Sequence, residues 1–260
     1  MRCSVLFSWL ITTLRVYADT TVWATPHDSY SSSVGVLGCK INTNRVAYWP
    51  MSVDCTNICV SLSYEGRSVY LLRVDQSGGA YDVSYDAWNY LITGSSATTK
   101  PTAGGATPME YENVDASMCA DLIQTAGHKL PLSAANSMDF LASCLSQSDS
   151  WVANNYVLYN ILDSVCSWGY DEVCTVDLSI SNQPKCPHTL GNPIALTSDP
   201  VYNIEYPSGK SVLAGQSGQT GQTGQSVQKA ATPSLGSKVA HFEGRGLALL
   251  AVALSVLLNR

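Results

Sequence analysis

The first half of the chain alternates short apolar, β-branched and aromatic runs with polar turn residues. Such runs cover 45–49, 58–64 and 68–74 and predict three β-strands. Glu65-Gly66-Arg67 lies between the last two runs and predicts a hairpin turn. Leu71-Leu72 is a continuous apolar pair, which indicates a strand buried on both faces. This half of the chain is therefore predicted to be mainly β.

A short helix interrupts the predicted strands. Ser84 can cap this helix, because a serine side chain accepts hydrogen bonds from the free N–H groups of a helix start. The apolar spacing that follows predicts the helix over 85–91, with one apolar face. A strand is then predicted to return over 109–114, which keeps this region within the β-rich half.

The apolar period becomes helical again in the second half of the chain. Ser133 is predicted to cap a helix over 134–145. A second helix is predicted to open at Asp149 or Ser150. Its apolar stripe consists of Trp151, Leu158, Leu162 and Val165. This half is therefore predicted to add a two-helix, cysteine-rich extension.

Both ends of the chain carry apolar runs that are too short to span a bilayer, which takes about 20 residues. Arg2, an apolar core over 3–14 and a small residue at Ala18 predict a signal peptide over 1–18. Near the other end, a small-residue site, a polar spacer and an apolar tail predict a GPI attachment signal. Ser234 is the expected attachment residue and Gly236 the alternate.

These features divide the chain into six predicted segments. They are a signal peptide over 1–18, a loose Ser/Thr-rich segment over 19–35, a barrel over 36–125, a helical cysteine-rich extension over 126–206, a Gly/Gln/Ser/Thr stalk over 207–234 and a GPI propeptide over 235–260. The stalk is expected to be disordered, because its composition cannot bury a core. Its serines and threonines are candidates for O-glycosylation.

Nine cysteines become eight once Cys3 leaves with the signal peptide. An even number in a secreted chain predicts four disulfides, with the connectivity left open. The eight are Cys39, Cys55, Cys59, Cys119, Cys144, Cys166, Cys174 and Cys186. The Cys55 and Cys59 pair has a spacing that zinc allows, but no second tight pair completes a site, so neither a metal nor another cofactor is expected.

The net charge restricts the partners. The whole chain carries a formal charge of −6, and removing the two predicted end signals makes it more negative. Such a surface repels polyanions, so nucleic acid is excluded as a partner class. Neutral polysaccharide and protein remain open.

The chemistry-bearing stretch runs from Arg73 to Leu91. It combines a strand that ends in Asp75, a Gly78-Gly79 turn and Asp82 before a helix, and so places two carboxylates near one another. This order of elements resembles the double-psi β-barrel family, which includes barwin, expansin-like domains, rare lipoprotein A domains and family 45 endoglucanases. The resemblance covers roughly 39–123 and implies a six-stranded double-psi β-barrel with short helices.

The resemblance also implies site residues. The general acid of the glycan-cleaving relatives falls on Asp82, but the position of their base, in Tyr48-Trp49-Pro50, carries a proline. The histidines lie outside the matched segment. For Asp82 the alternative is a helix-start carboxylate, and for Asp75 a loop-tying role. Tyr48, Trp49 and Tyr81 are expected either to stack on sugar rings or to belong to the core.

We therefore expect a GPI-anchored extracellular protein, at the outer leaflet or in the cell wall of a filamentous fungus. It is expected to bind or remodel cell-wall polysaccharide without hydrolysis, in the manner of expansins. Two alternatives stay open: a weak glycan-cleaving enzyme that uses Asp82 as its acid, and a secreted effector or elicitor at a host interface.

The anchor gives the first prediction. Phosphatidylinositol-specific phospholipase C should release the protein from intact cells, because the apolar run over 247–258 is shorter than the roughly 20 residues that a membrane span needs. Release is measured by immunoblotting the supernatant. A mature protein whose mass still includes 247–258 would contradict the prediction.

Overall fold

The computed structural model describes residues 20–215, which belong to one compact unit. The predicted signal peptide, the attachment residues Ser234 and Gly236, and the GPI propeptide lie outside these residues. Within 20–215, no helix is both long enough and apolar enough to cross a membrane.

Six strands close into a barrel, which confirms the predicted fold class. In chain order they are β1 (Thr20–His27), β2 (Val46–Trp49), β3 (Cys59–Tyr64), β4 (Arg67–Gln76), β5 (Tyr81–Ser84) and β6 (Thr107–Asn113). Around the barrel the order is β1-β5-β2-β4-β3-β6, and β6 pairs with β1 to close it. The β1–β5 and β2–β4 pairs are parallel and the other four are antiparallel.

The predicted turn between β3 and β4 lies where the sequence indicated it. Glu65 and Gly66 both have positive φ, at 46° and 78°. Two consecutive residues with positive φ make the tight turn whose twist matches an antiparallel hairpin. Helix α1 (Tyr85–Thr93) follows β5, as predicted, and Gly94 ends it in the left-handed conformation.

The first barrel strand was missed by the sequence analysis, and the loose segment over 19–35 is wrong for its first part. Residues 20–27 form β1, which pairs with both β5 and β6. Val22 and Ala24 point into the barrel and are almost fully buried. The strand is needed because a barrel with one strand missing would leave two unpaired edges.

Strand β2, and β4 over 71–74, are buried on both faces. Ala47 and Trp49 belong to the core inside the barrel, whereas Tyr48 belongs to a second core outside it. Leu71 and Leu72 divide between the two cores in the same way, which confirms the prediction for this pair. The second core extends into residues 130–174, so the barrel and the extension are packed together.

The extension is a mixed sheet with two helices, not a helical segment. It contains β7 (Leu130–Ser133), α2 (Met138–Leu145), α3 (Trp151–Asn154), β8 (Tyr156–Ile161), β9 (Gly169–Asp177) and β10 (Ser181–Lys185). The sheet order is β10-β9-β8-β7, with β7 and β8 parallel. Helix α2 begins at Met138, later than predicted, because residues up to Ser133 pair as a buried strand.

The second predicted helix ends after one turn, at Asn154. The residues that follow form β8, which hydrogen-bonds to β7 on one side and β9 on the other. A short apolar run of this kind fits either a strand or a buried helix segment, and pairing with two neighbours decides for the strand. The predicted stripe from Trp151 to Val165 is therefore wrong.

The predicted stalk begins too early. Strands β11 (Tyr202–Ile204) and β12 (Ser211–Leu213) form a hairpin. Most of its turn and all of its second strand lie within the predicted stalk over 207–234. It is tied to the rest of the molecule by Asn203, whose side-chain oxygen accepts from the Tyr30 N–H at 2.9 Å. The residues from 216 onward lie outside the described part of the chain.

All eight cysteines form disulfides, as predicted. The pairs are Cys39–Cys166, Cys55–Cys144, Cys59–Cys119 and Cys174–Cys186. The first two join the connections of the barrel to the extension, so they fix the second core across its two layers. The last one closes the β9–β10 hairpin.

The disulfides give the second prediction. Replacing Cys55 and Cys144 by alanine should cost roughly 4–5 kcal/mol of unfolding free energy, because this bond closes a loop of 89 residues. The matched control, Cys174→Ala with Cys186→Ala, opens a loop of 12 residues and should cost about 3 kcal/mol. Denaturant unfolding measures both. Equal losses, or free thiols in the denatured unreduced protein, would contradict the pairing.

Candidate functional site

A row of four polar side chains crosses the outer face of the barrel. The strand register pairs Thr25 with Asp82, Asp82 with Tyr48 and Tyr48 with Asp75. Directly paired residues project to the same side of a sheet, so these residues of β1, β5, β2 and β4 lie side by side. We call them the Asp82 row. It brings together three of the five predicted site residues.

Asp82 holds a hydrogen bond within the row, not a helix cap. Its Oδ1 accepts from the Thr25 hydroxyl, and the side chain is half-buried. The carboxylate at the start of α1 is Asp86, which accepts from the Ala97 N–H at 2.7 Å and from Arg45 at 2.8 Å. The helix-start interpretation of Asp82 is therefore wrong, because that position belongs to Asp86.

Asp75 fastens a loop. Its carboxylate accepts from the Ser31 hydroxyl at 2.6 Å and from the backbone N–H groups of Ser33 and Gln76 at 2.9 and 2.8 Å. The first two donors belong to the segment after β1, which is thereby fixed to β4. This arrangement agrees with the loop-tying alternative and leaves little acceptor capacity for a glycan hydroxyl.

Tyr48 is the buried member of the row and offers no ring face to a sugar. It is 4% exposed, and its ring packs on His27 at a centroid distance of 4.7 Å. Burial raises the pKa of Tyr48 well above its usual value, and the negative charges of Asp75, Asp82 and Asp28 raise this pKa further. The Tyr48 hydroxyl therefore stays protonated.

Trp49 and Tyr81 point to the inside of the barrel. Trp49 is 1% exposed, and its ring meets Tyr81 at 5.4 Å and Tyr111 at 4.6 Å in edge-to-face contacts. The expectation that Tyr48 and Trp49 stack on sugar rings is therefore wrong, and both belong to cores. Tyr81 is half-buried against them.

The exposed aromatic of this face is on β1. Trp23 is 63% exposed, and it alternates with the inward-facing Val22 and Ala24. Residues two apart on a strand project to one side, so Trp23, Thr25 and His27 share the face of the Asp82 row. These three residues were not predicted from the sequence, although the alternation over 22–25 was the signal that could have identified them.

A histidine and a second carboxylate are contributed by the end of β1 and the residue after it. His27 lies outside the segment matched by the family resemblance, yet it pairs with Ser84 next to the row. Asp28 follows directly, and its oxygens accept from Ser29 and from the Tyr206 N–H, each at 3.2 Å. Pro50 occupies the position of the base in the glycan-cleaving relatives, but Asp28 supplies another carboxylate in this region.

The space between these residues is small. His27, Asp28, Tyr48 and Tyr202 line a cavity of about 10 Å³, enough for roughly one water molecule. The cavity is therefore too small to hold a sugar ring. Within residues 20–215, no group of three or more His, Cys, Asp or Glu side chains is placed to hold a metal ion.

Fold and site define a disulfide-linked, closed six-stranded β-barrel with a mixed α/β extension. A scan against protein-family models and a search of curated proteins find no match. Among solved structures, the solution structure of the fungal elicitor cerato-platanin matches with 21% identity and a TM-score of 0.25. The match covers 36% of this chain and 96% of that one. A TM-score of this size carries no argument about function.

The buried hydroxyl gives the third prediction. Because the folded-state pKa of Tyr48 lies above its unfolded value of 10.0, the unfolded state loses this proton first as the pH rises. Stability should therefore fall above pH 10, and Tyr48→Phe should make that fall shallower. Urea unfolding at pH 8 and pH 11 measures the slope. Tyr70→Phe, at a 39% exposed position, is the control, and an equal change in its slope would contradict the assignment.

Proposed function

We propose that this protein binds a neutral cell-wall polysaccharide on the outer face of β1 and β5, without hydrolysing it. Trp23 stacks on one sugar ring, and Asp82, Thr25 and His27 hydrogen-bond the hydroxyl groups of its neighbour. The observation that carries this proposal is the 63% exposed Trp23 on the same face as the Thr25–Asp82 pair.

Trp23 and Thr25 are separated by about 6.6 Å, since a strand rises about 3.3 Å per residue. A large aromatic ring beside polar groups that fix orientation is a common composition of ligand sites. The negative formal charge of the chain, −6, favours a neutral polymer over an anionic one. The oxidised cysteines support an extracellular location.

We place the protein at the outer leaflet of the cell membrane, held by a GPI lipid at Ser234 or Gly236, and in contact with the wall. The support for this part of the proposal is the pattern of small site, polar spacer and apolar tail. A fungal cell is the setting that the family resemblance suggests.

Glycan cleavage with Asp82 as the acid is the second candidate. The observation in its favour is that Tyr48 pairs with both Asp75 and Asp82, and that Asp28 lines the same small cavity as Tyr48. Binding is preferred because both of these carboxylates are already engaged: Asp75 accepts three hydrogen bonds and Asp28 two. A general base must instead be free to activate a water molecule.

The fourth prediction tests the binding face. Trp23→Ala should weaken binding to insoluble β-glucan or chitin roughly tenfold, because the stacking contact is worth about 0.5–1.5 kcal/mol beyond its buried area. Trp23→Tyr should restore most of the affinity. Trp168→Ala removes an aromatic that is 47% exposed in the extension and serves as the matched control. Sedimentation with the polysaccharide measures all three.

The same assay separates binding from cleavage. Asp82→Asn should reduce binding only severalfold, and neither the wild type nor this variant should release reducing ends. Equal binding by wild type and Trp23→Ala would overturn the proposed face. Reducing-end release by the wild type that disappears in Asp82→Asn would overturn the non-hydrolytic function and establish the cleavage candidate.

A further inference from the structure

A second, larger space lies beside the small cavity at His27. It is a cleft of about 460 Å³ between the connection from β1 to β2 and the segment that leads into β11. Ligand sites occupy roughly 300–1,000 Å³, so this cleft is large enough for a sugar ring whereas the cavity is not. None of the sequence-predicted site residues lines it.

The lining of the cleft is polar and mostly uncharged. Thr43, Asn44, Gln124 and Ser198 all contribute to it. Among the hydrogen bonds of residues 20–215, none involves the side chains of these four residues. They are also not fully buried. Free amide and hydroxyl groups at the wall of a cleft are both donors and acceptors, which is the combination that sugar hydroxyls require.

The charge beside the cleft is slightly negative, because one lysine is shared by two carboxylates. Asp199 is its charged lining residue, and its Oδ2 lies 3.9 Å from the Nζ of Lys40. Lys40 is also bonded to Asp171 at 2.6 Å. Among residues 20–215, the lining of the cleft holds no lysine or arginine to pair with a carboxylate or sulfate group of an acidic sugar, so the cleft favours a neutral ligand.

The cleft continues the face described above. Thr43, Asn44 and Tyr202 line both the cavity at His27 and the cleft. Tyr202 is 52% exposed and lies on β11. From Trp23 to His27, β1 runs about 13 Å towards this junction. An aromatic ring therefore lies at each end of a polar path, Trp23 at one end and Tyr202 at the other.

We propose that the cleft is a second subsite for the same neutral glycan, with Tyr202 as its stacking ring and the amides of Asn44 and Gln124 as its hydrogen-bonding groups. The proposal rests on the binding function proposed above and extends it. A short oligosaccharide occupies the Trp23 end alone. A longer one reaches Tyr202 as well, and the second contact forms at high effective concentration because the first already holds the chain.

The test is the dependence of affinity on oligosaccharide length, measured by titration calorimetry with β-glucan and chitin oligomers from two sugars upward. The wild type should gain at least tenfold in affinity as the oligomer becomes long enough to span both subsites. Tyr202→Ala should remove this gain and leave the affinity for the shortest oligomer unchanged. Trp23→Ala should weaken binding at every length.

Two controls keep the outcomes distinct. Tyr202 pairs with Leu213 through its backbone, so its replacement should leave the fold intact, which circular dichroism checks. Asn44→Ala is an independent variant of the cleft and should reduce the gain, whereas Tyr70→Ala, on the barrel surface, should not. No binding by the wild type at any length would overturn the proposed function and the subsite with it. If Tyr202→Ala and Asn44→Ala both keep the wild-type increase of affinity with oligomer length, the subsite alone would be overturned.

Discussion

The burial of β2 on both faces is the constraint on which the rest of this structure depends. All four of its residues are buried, with Ala47 and Trp49 inside the barrel and Val46 and Tyr48 outside it. A barrel of this size can bury only its inner face by itself. The outer apolar face therefore requires a second layer, and residues 130–174 supply it. The disulfides Cys39–Cys166 and Cys55–Cys144 hold that layer in place.

The candidate site lies where this cover ends. Tyr48 belongs to the outer core, yet the next residues of its row, Asp82 and Thr25, are polar and half-buried. Beyond them Trp23 is open to solvent. The row thus passes from a packed layer to a free surface across three neighbouring strands. The two spacings between them, about 4.8 Å each, add to roughly 10 Å. The packed end fixes the geometry, and the open end is accessible to a ligand.

The sequence was informative where structure is local. The strands around Glu65-Gly66, the helix after Ser84 and the four disulfides follow from residues close in sequence or from parity, and all are present in the fold. The first barrel strand was not predicted, because Thr20–His27 owes its regular pairing to β5 and β6, which lie more than 50 residues away. The strand after Asn154 was missed for the same reason: an apolar run there is compatible with a helix until its partners are known.

The candidate site shows the same difference between local and long-range features more sharply. Asp75 and Asp82 come from one continuous stretch and were recognised. Trp23 and His27 of β1, Asn44 and Tyr202 come from three distant segments, and only the fold assembles them. Their roles also changed once partners were known. Asp75, Asp28 and Asp86 are engaged with backbone N–H groups or an arginine, so they organise loops. The groups left free are an exposed tryptophan, an exposed tyrosine and uncharged amides. These are the groups that the proposed function uses to recognise a neutral glycan, whereas the cleavage candidate would need a carboxylate released from its present contacts.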